Sequence, residues 1–224
     1  MPESEFDQFA EKYDEILDDS MPEGMSENPY FAEYKIKLIA DLLDGLVPTK
    51  ILDFGCGAGR GLPYVTRYFP ESEVWGFDVS EASLNVATSR APEATLVSNM
   101  NDLNDERFDL IVAANVFHHI SPDKRVGALS DCRKVLSDKG KMFIFEHNPY
   151  NPATRWVFER CPFDVDAEML SKGSASRIAK QANLKITDSG YTLFFPAQLS
   201  FLRGLEKSLK MLPLGAQYYV QLEK

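Results

Sequence analysis

Between residues 50 and 147 the chain alternates short apolar runs with stretches of mixed polarity. "KILDF" (50–54), "EVWGFDV" (73–79), "ATLVS" (94–98), "FDLIVAAN" (108–115) and "KMFIFEH" (141–147) have the length and composition of strands. "FDLIVAAN" is apolar almost throughout, as a strand covered on both faces should be. Helical spacing fills the gaps. Residues 60–69 place Leu62, Val65 and Phe69 on one side, and Ser80 can cap the helix after the second strand. Ser121 and Pro122 can open a third helix as N-cap and first residue, with Val126, Leu129 and Leu136 inward and Gly140 as its stop. This rhythm predicts an α/β fold, a doubly wound and mostly parallel sheet.

The two ends of the chain depart from it. Phe6, Phe9, Ala10, Tyr13, Ile16 and Leu17 fall at helical spacing behind Ser4, a candidate cap. A loop with Pro22, Gly24 and Pro29 leads to a second amphipathic helix with Phe31, Tyr34, Leu38, Leu42 and Leu46, closing at Pro48. In the last third, a helix at about 174–182 precedes "LKITDSGYTLFF" (184–195). A leucine-spaced helical segment (Leu199, Leu202, Leu205, Leu209, Leu212) and "AQYYVQLE" (216–223) follow. Two strands around an inserted helix let the second pair antiparallel at a sheet edge.

Composition narrows the function. A chain of 224 residues fits a single domain. A net charge of -10 disfavours a binder of nucleic-acid backbone, which needs clustered Lys and Arg. Residues 1–27 alone hold ten Asp or Glu against one Lys. Three widely spaced cysteines, Cys56, Cys132 and Cys161, do not read as a disulfide framework or a zinc site. "MPESEFDQF" lacks the basic and apolar regions of a signal peptide, and charges interrupt every apolar run before it reaches membrane length. A cytoplasmic protein is expected.

The chemistry concentrates in "ILDFGCGAGRG" (51–61), where Gly55, Gly57, Gly59 and Gly61 alternate with other residues after a strand. Such glycines let backbone approach a nucleotide closely. A phosphate loop is excluded because no Gly-Lys-Ser/Thr follows. A dinucleotide fingerprint needs a third Gly or Ala, but Arg60 or Leu62 stands there, depending on the frame. Asp53, two residues before the first glycine, would repel a pyrophosphate and suits a cofactor with a cationic amine.

"LDFGCGAGR" resembles the first motif of class I S-adenosylmethionine-dependent methyltransferases, Asp-x-Gly-x-Gly-x-Gly. "GFDVS" is similar to their second motif, "VSNM" to their adenine-contacting loop and "FDLIVAANVFHHI" to their fourth-strand motif. The resemblance covers about residues 30–224 and implies a Rossmann-like seven-stranded sheet with an antiparallel C-terminal strand. It implies one domain over 1–224, with 1–45 a helical lid and 148–170 and 196–213 substrate-side insertions. It also implies the cofactor S-adenosylmethionine, with S-adenosylhomocysteine as product. Gly55, Cys56, Gly57 and Gly59 are then expected to bring backbone against the methionine and ribose portions, Cys56 through its backbone rather than its sulfur. Asp53 is expected at the amino end, Asp78 on the ribose hydroxyls and Val79 against the adenine. Asn99, where relatives often carry Asp, takes the adenine amino group, with Met100 beside the ring. Asn115 lies near the methionine end, and Tyr13 and Lys35 face the cofactor from the lid.

Methyl transfer from a sulfonium has a good leaving group, so catalysis rests on positioning and on a base where the acceptor needs one. All three histidines, His118, His119 and His147, fall at the carboxyl ends of the fourth and fifth strands, where open parallel sheets bind ligands. His119, His147 and Glu146 are the base candidates. His118 and His119 would point oppositely if the strand persisted through them. Tyr150, Arg155 and Arg160 lie in "EHNPYNPATRWVFERCPFD" (146–164), the composition of a substrate wall, with solvated arginines as the plainer reading. No metal-ligand set is visible, which argues against a magnesium-dependent mechanism. The expected reaction is methylation of a small-molecule or lipid- or sugar-linked acceptor, with oxygen favoured. An N- or carboxyl-methyltransferase of a metabolite and a non-catalytic S-adenosylmethionine-binding protein are the alternatives.

Overall fold

A computed structural model describes residues 28–224. The helix expected around Ser4 to Leu17, with Tyr13, and the loop up to residue 27 lie outside the described residues. The chain opens with α1 (Asn28–Leu43), β1 (Lys50–Phe54), α2 (Leu62–Tyr68), β2 (Glu73–Phe77), α3 (Glu81–Arg90) and β3 (Thr95–Val97). It continues through β4 (Phe108–Ala114), α4 (Pro122–Val135), β5 (Leu136–His147), α5 (Pro152–Phe158), α6 (Lys172–Gln181), β6 (Lys185–Thr192), the short α7 (Glu206–Leu209) and β7 (Gln217–Glu223).

The strands form one seven-stranded sheet in the order β3-β2-β1-β4-β5-β7-β6. β1 to β5 are parallel, and β7 runs antiparallel to both of its neighbours. The last strand is therefore not the edge. β7 slots between β5 and β6, and the exposed edge is β6. The strand order reverses between β1 and β4, so their carboxyl ends diverge and leave a crevice there.

Strand alternation sends neighbouring residues to different cores. Leu52, Phe54, Ile111, Ala113, Met142 and Ile144 join one buried cluster with Leu129 of α4 and Ala175 and Ala179 of α6. Ile51, Leu110, Val112, Phe143 and Phe145 join the other, with Ile36, Ile39 and Leu43 of α1 and Leu62 and Val65 of α2. The described part of the expected lid is thus anchored in the core by one apolar face.

Local expectations meet the structure unevenly. Ser80 caps α3 as expected, its side chain accepting from the Ser83 N–H. Ser121 precedes Pro122 at the head of α4 but makes no side-chain cap bond. Gly140 does not stop α4, which ends at Val135, and it lies inside β5. The pairing of β4 with β5 slips there, and a Cβ on Gly140 would stand 2.8 Å from the Phe108 carbonyl oxygen. The glycine serves a bulged strand crossing close to its neighbour.

The leucine-spaced segment 199–212 is no continuous amphipathic helix. It is a 3₁₀ stretch over Ala197–Leu205, broken at Leu199, that leads into α7. Leu199, Leu205 and Leu212 are exposed, whereas Glu206 is buried. The Glu206 carboxylate accepts from the Tyr34 hydroxyl at 2.9 Å and from the Phe194 N–H at 3.1 Å. A polar staple to α1, not the leucine stripe, fixes this segment.

Just beyond it, the Asn148 side chain donates to the carbonyls of Pro213 (3.1 Å) and Gly215 (2.8 Å), which brings the loop after β5 against the approach to β7. A Cβ on Gly215 would fall 2.3 Å from the Thr192 carbonyl oxygen. Gly215→Ala should therefore lower unfolding free energy by about 1–3 kcal/mol, the usual cost of overpacking against backbone. Urea unfolding of the two proteins reads this as a shift in midpoint at unchanged slope.

Candidate active site

β1 delivers the chain into the crevice. Gly55 has φ +74°, Gly57 φ +51° and Gly59 φ +76°, all in the left-handed region. The Gly55 and Cys56 N–H groups both donate to the Phe77 carbonyl, tying this loop to β2. At Gly55 a Cβ would stand 2.5 Å from a Val116 methyl, so the glycine loop lies directly against the loop that follows β4. At Gly59 it would stand 2.7 Å from Ala87 of α3. Gly57 differs, because nothing lies within 4 Å of where its Cβ would be. That bare backbone faces open space.

Asp78, at the end of β2, is held by backbone. Its carboxylate accepts from the Gly57 N–H at 2.8 Å and from the Ser80 N–H at 2.9 Å. Val79 beyond it is 66% exposed, an apolar face without cover among the described residues. Met100 packs partly on the core, and the Asn99 side-chain oxygen accepts from the Asn101 N–H at 3.0 Å. Asn99 thus uses one lone pair as a local cap. Burial pushes the Cys56 thiol well above its ordinary range, which leaves its sulfur inert.

Asp53 shares the β1 face of Ile51 and is only 7% exposed. Its carboxylate accepts no hydrogen bond from a described residue. Burial, reinforced by Asp78, pushes its pKa up to about 7, against a lowering influence from Lys35. Lys35 is itself buried on α1 and is pulled down to about 8 by burial and by Arg60, against Glu146 and Asp53. A buried carboxylate with no donor among the described residues, next to a second carboxylate and bare glycine backbone, fits a ligand that brings a cation and hydroxyl donors.

On the other side of the crevice, β4 ends at Ala114 and Asn115 turns the chain at φ 59°. Asn115 accepts from the Gln217 side chain at 3.4 Å. The strand does not persist through the histidines. A turn with the His119 N–H bonded to the Val116 carbonyl lets both rings swing to one side, 4.0 Å apart between centroids. His147 of β5 approaches the His118 ring at 5.3 Å, and Phe158 of α5 packs edge-on against both.

Glu146 organises this group. It is fully buried and accepts from the Val116 N–H (3.1 Å), the Phe117 N–H (2.7 Å) and His118 Nδ1 (2.5 Å). All its strong acceptor directions face protein, so it orients the loop and is no free base. Asp164, which sequence reasoning passed over, enters from a 3₁₀ turn (Pro162–Asp164) with Oδ1 3.3 Å from His118 Nε2 and 3.5 Å from His119 Nε2. Its only local signal was a carboxylate closing the aromatic stretch after β5. The expectation that no metal-ligand set exists needs correction, since His118, His119 and Asp164 place their donor atoms within 4.8 Å of one another.

Burial alone would lower the His118 pKa, but Glu146 and Asp164 outweigh it and raise it to about 9. Burial and the neighbouring His118 charge lower His119 and His147 to about 4, so both are neutral at physiological pH. The three expected substrate residues are not gathered here. Tyr150 is 65% exposed, Arg155 pairs with Glu159 one turn along α5, and Arg160 stacks on Trp156.

Residues 51–140 match the family model described as a methyltransferase domain. Over that stretch the chain is similar to methyltransferase domains. Among curated relatives, the demethylmenaquinone methyltransferase of Thermotoga maritima is 33% identical over 149 residues, 65% of this chain and 61% of that protein. The ubiquinone biosynthesis O-methyltransferase of Alkalilimnicola ehrlichii is 29% identical over 155 residues, 66% of this chain and 59% of that protein. The chain thus spans about three-fifths of the length of these relatives. A solved structure from Thermotoga maritima, described as a methyltransferase and possible histamine N-methyltransferase, superposes with a TM-score of 0.70 at 18% identity. That match covers 98% of this chain and 97% of the other, and it shows a shared fold. The matched stretch runs through the glycine loop, Asp78 and the histidine turn.

Asp53 yields a test without any ligand. Its pKa in the folded protein lies above the ordinary 3.8, so folding is penalised above about pH 7, and the penalty is relieved as pH falls from there toward 4. Asp53→Asn should raise the unfolding free energy at pH 8 by up to about 4 kcal/mol and flatten its rise on mild acidification. Denaturant unfolding across pH 5–8 checks both.

Proposed function

We propose that the protein transfers the methyl group of S-adenosylmethionine to a hydroxyl oxygen of a small-molecule or lipid- or sugar-linked acceptor. The observation that carries this reading is the buried carboxylate of Asp53, which has no hydrogen-bond donor among the described residues, beside the bare backbone of Gly57 and Asp78, whose carboxylate accepts from the Gly57 N–H. S-adenosylmethionine offers an ammonium for Asp53 and two ribose hydroxyls for Asp78. When bound, it supplies an electrophilic methyl group on a sulfonium that leaves readily as a thioether. Gly55, Gly57 and Gly59 let the backbone close on it, Val79 and Met100 offer apolar faces to the adenine, and Asn115 and Lys35 border the methionine end.

The residues beyond β4 and β5 support an oxygen acceptor. A hydroxyl must lose its proton as the new bond forms, and a neutral imidazole can take it. Glu146 is committed to the loop and His118 to two carboxylates, which leaves His119 and His147 as the base candidates, with Phe158 against the His147 ring. The two curated relatives are named for reactions of quinone biosynthesis, which agrees with a small apolar acceptor.

Calorimetry should show binding of S-adenosylhomocysteine and none of NAD. Asp78→Ala should weaken that binding by about 1–3 kcal/mol, because two hydroxyls lose an ionised acceptor. An unchanged affinity would remove Asp78 from the site. His119→Ala and His147→Ala should both keep the S-adenosylhomocysteine affinity, and one of them should lose at least about 100-fold in turnover of a hydroxyl acceptor found by screening metabolite extracts with labelled methyl donor. Full turnover in both variants would point to an amine or carboxylate acceptor that needs no base.

A further inference from the structure

We propose that His118, His119 and Asp164 form a site for one divalent transition-metal ion of the zinc or cobalt type, set beside the methyl-transfer crevice. Three observations converge on it. The first is spacing: Asp164 Oδ1 lies 3.3 Å from His118 Nε2 and 3.5 Å from His119 Nε2. Ligand bonds of about 2.0–2.1 Å in tetrahedral arrangement place neighbouring donor atoms about 3.3–3.4 Å apart. The two distances from Asp164 match that spacing, and all three donor atoms lie within 4.8 Å of one another.

The second is the outer carboxylate. Glu146 Oε2 bonds His118 Nδ1 at 2.5 Å, which fixes the ring and turns Nε2 toward the other two donors. A carboxylate behind an imidazole in this way is the usual support of a histidine ligand. Glu146 is itself fixed by two backbone N–H groups, so the support is rigid.

The third is that the segment bearing Asp164 is fastened to the histidine turn. The Glu168 N–H donates to the His118 carbonyl at 2.9 Å. The buried Arg125 guanidinium bridges the carbonyls of Ile120 (2.8 Å) and Glu168 (3.0 Å). These bonds bring together donors 45 residues apart in the chain and hold them before any ion arrives. His118 and Asp164 are nearly enclosed, with side chains 1% and 9% exposed, while His119 at 22% leaves a side open to a fourth ligand.

Two imidazoles and one carboxylate suit borderline ions such as Zn²⁺ or Co²⁺, and disfavour Mg²⁺ and Ca²⁺, which seek oxygen donors. Resting here on the methyltransferase reading, such an ion would hold the acceptor oxygen near His147 and make its proton easier to remove. Binding of the ion itself does not depend on that reading.

Titration of the full-length protein with Co²⁺, followed by visible absorption, and with Zn²⁺ in competition with a chelator tests the site. One equivalent should bind, with a cobalt spectrum of nitrogen and oxygen ligands. His119→Gln and Asp164→Asn should each weaken binding at least tenfold while retaining S-adenosylhomocysteine affinity, which shows that the variants are folded. His119, at the open margin, is the substitution least able to disturb the core. Three results would overturn the proposal: no Zn²⁺ or Co²⁺ binding by protein that binds S-adenosylhomocysteine, equal binding by both variants, or a thiolate charge-transfer band placing the ion on Cys161. Failure of S-adenosylhomocysteine binding with normal metal binding would instead strike the methyltransferase reading alone.

Discussion

At the end of β5 a carboxylate is shut away from water, and the loop after β4 is built around it. Glu146 accepts two backbone N–H groups of that loop and one imidazole, so its charge is matched by donors rather than by solvent. A buried carboxylate stripped of such partners costs several kcal/mol, and the loop cannot leave without incurring that cost. Through this one residue the turn at 115–119 is locked to the central sheet. Val116 then closes on Gly55, and the two halves of the crevice acquire a fixed separation.

The two sides of the crevice use burial in opposite ways. On the β1 and β2 side, Asp53 is desolvated and accepts no hydrogen bond from a described residue, and Asp78 accepts from the Gly57 and Ser80 N–H groups. On the β4 and β5 side, each carboxylate already has an imidazole, and the positive character of His118 holds its neighbours His119 and His147 neutral. The buried Lys35 of α1 interacts electrostatically with both sides, through Asp53 and Glu146.

Stability and function are in tension at Asp53. An uncompensated buried carboxylate is tolerated in a fold only where the rest of the structure enforces it, as functional sites commonly require. Here the enforcement comes from the β1 register, which places Ile51 and Asp53 on one face, and from α1, whose Ile36 and Ile39 seal that face. Among the described residues no helix is long and apolar enough to cross a membrane.

By itself the sequence determined the alternating strands, the sheet type, the glycine loop and Asp78, because those depend on local periodicity and on backbone freedom within a few residues. Asp53 was legible for the same reason, as an acid fixed two positions before a glycine. Only the tertiary structure decided which histidines meet, since a turn at Asn115 replaced the strand whose alternation would have separated His118 from His119. It turned Glu146 from a candidate base into a support, because its partners are backbone groups 29 and 30 residues away that carry no sequence signature. It left Leu199, Leu205 and Leu212 exposed and buried Glu206 instead, since a bond to Tyr34 on a distant helix outweighs a local apolar stripe. Asp164 joined the histidines through contacts spanning more than 40 residues, and periodicity cannot report where a loop folds back.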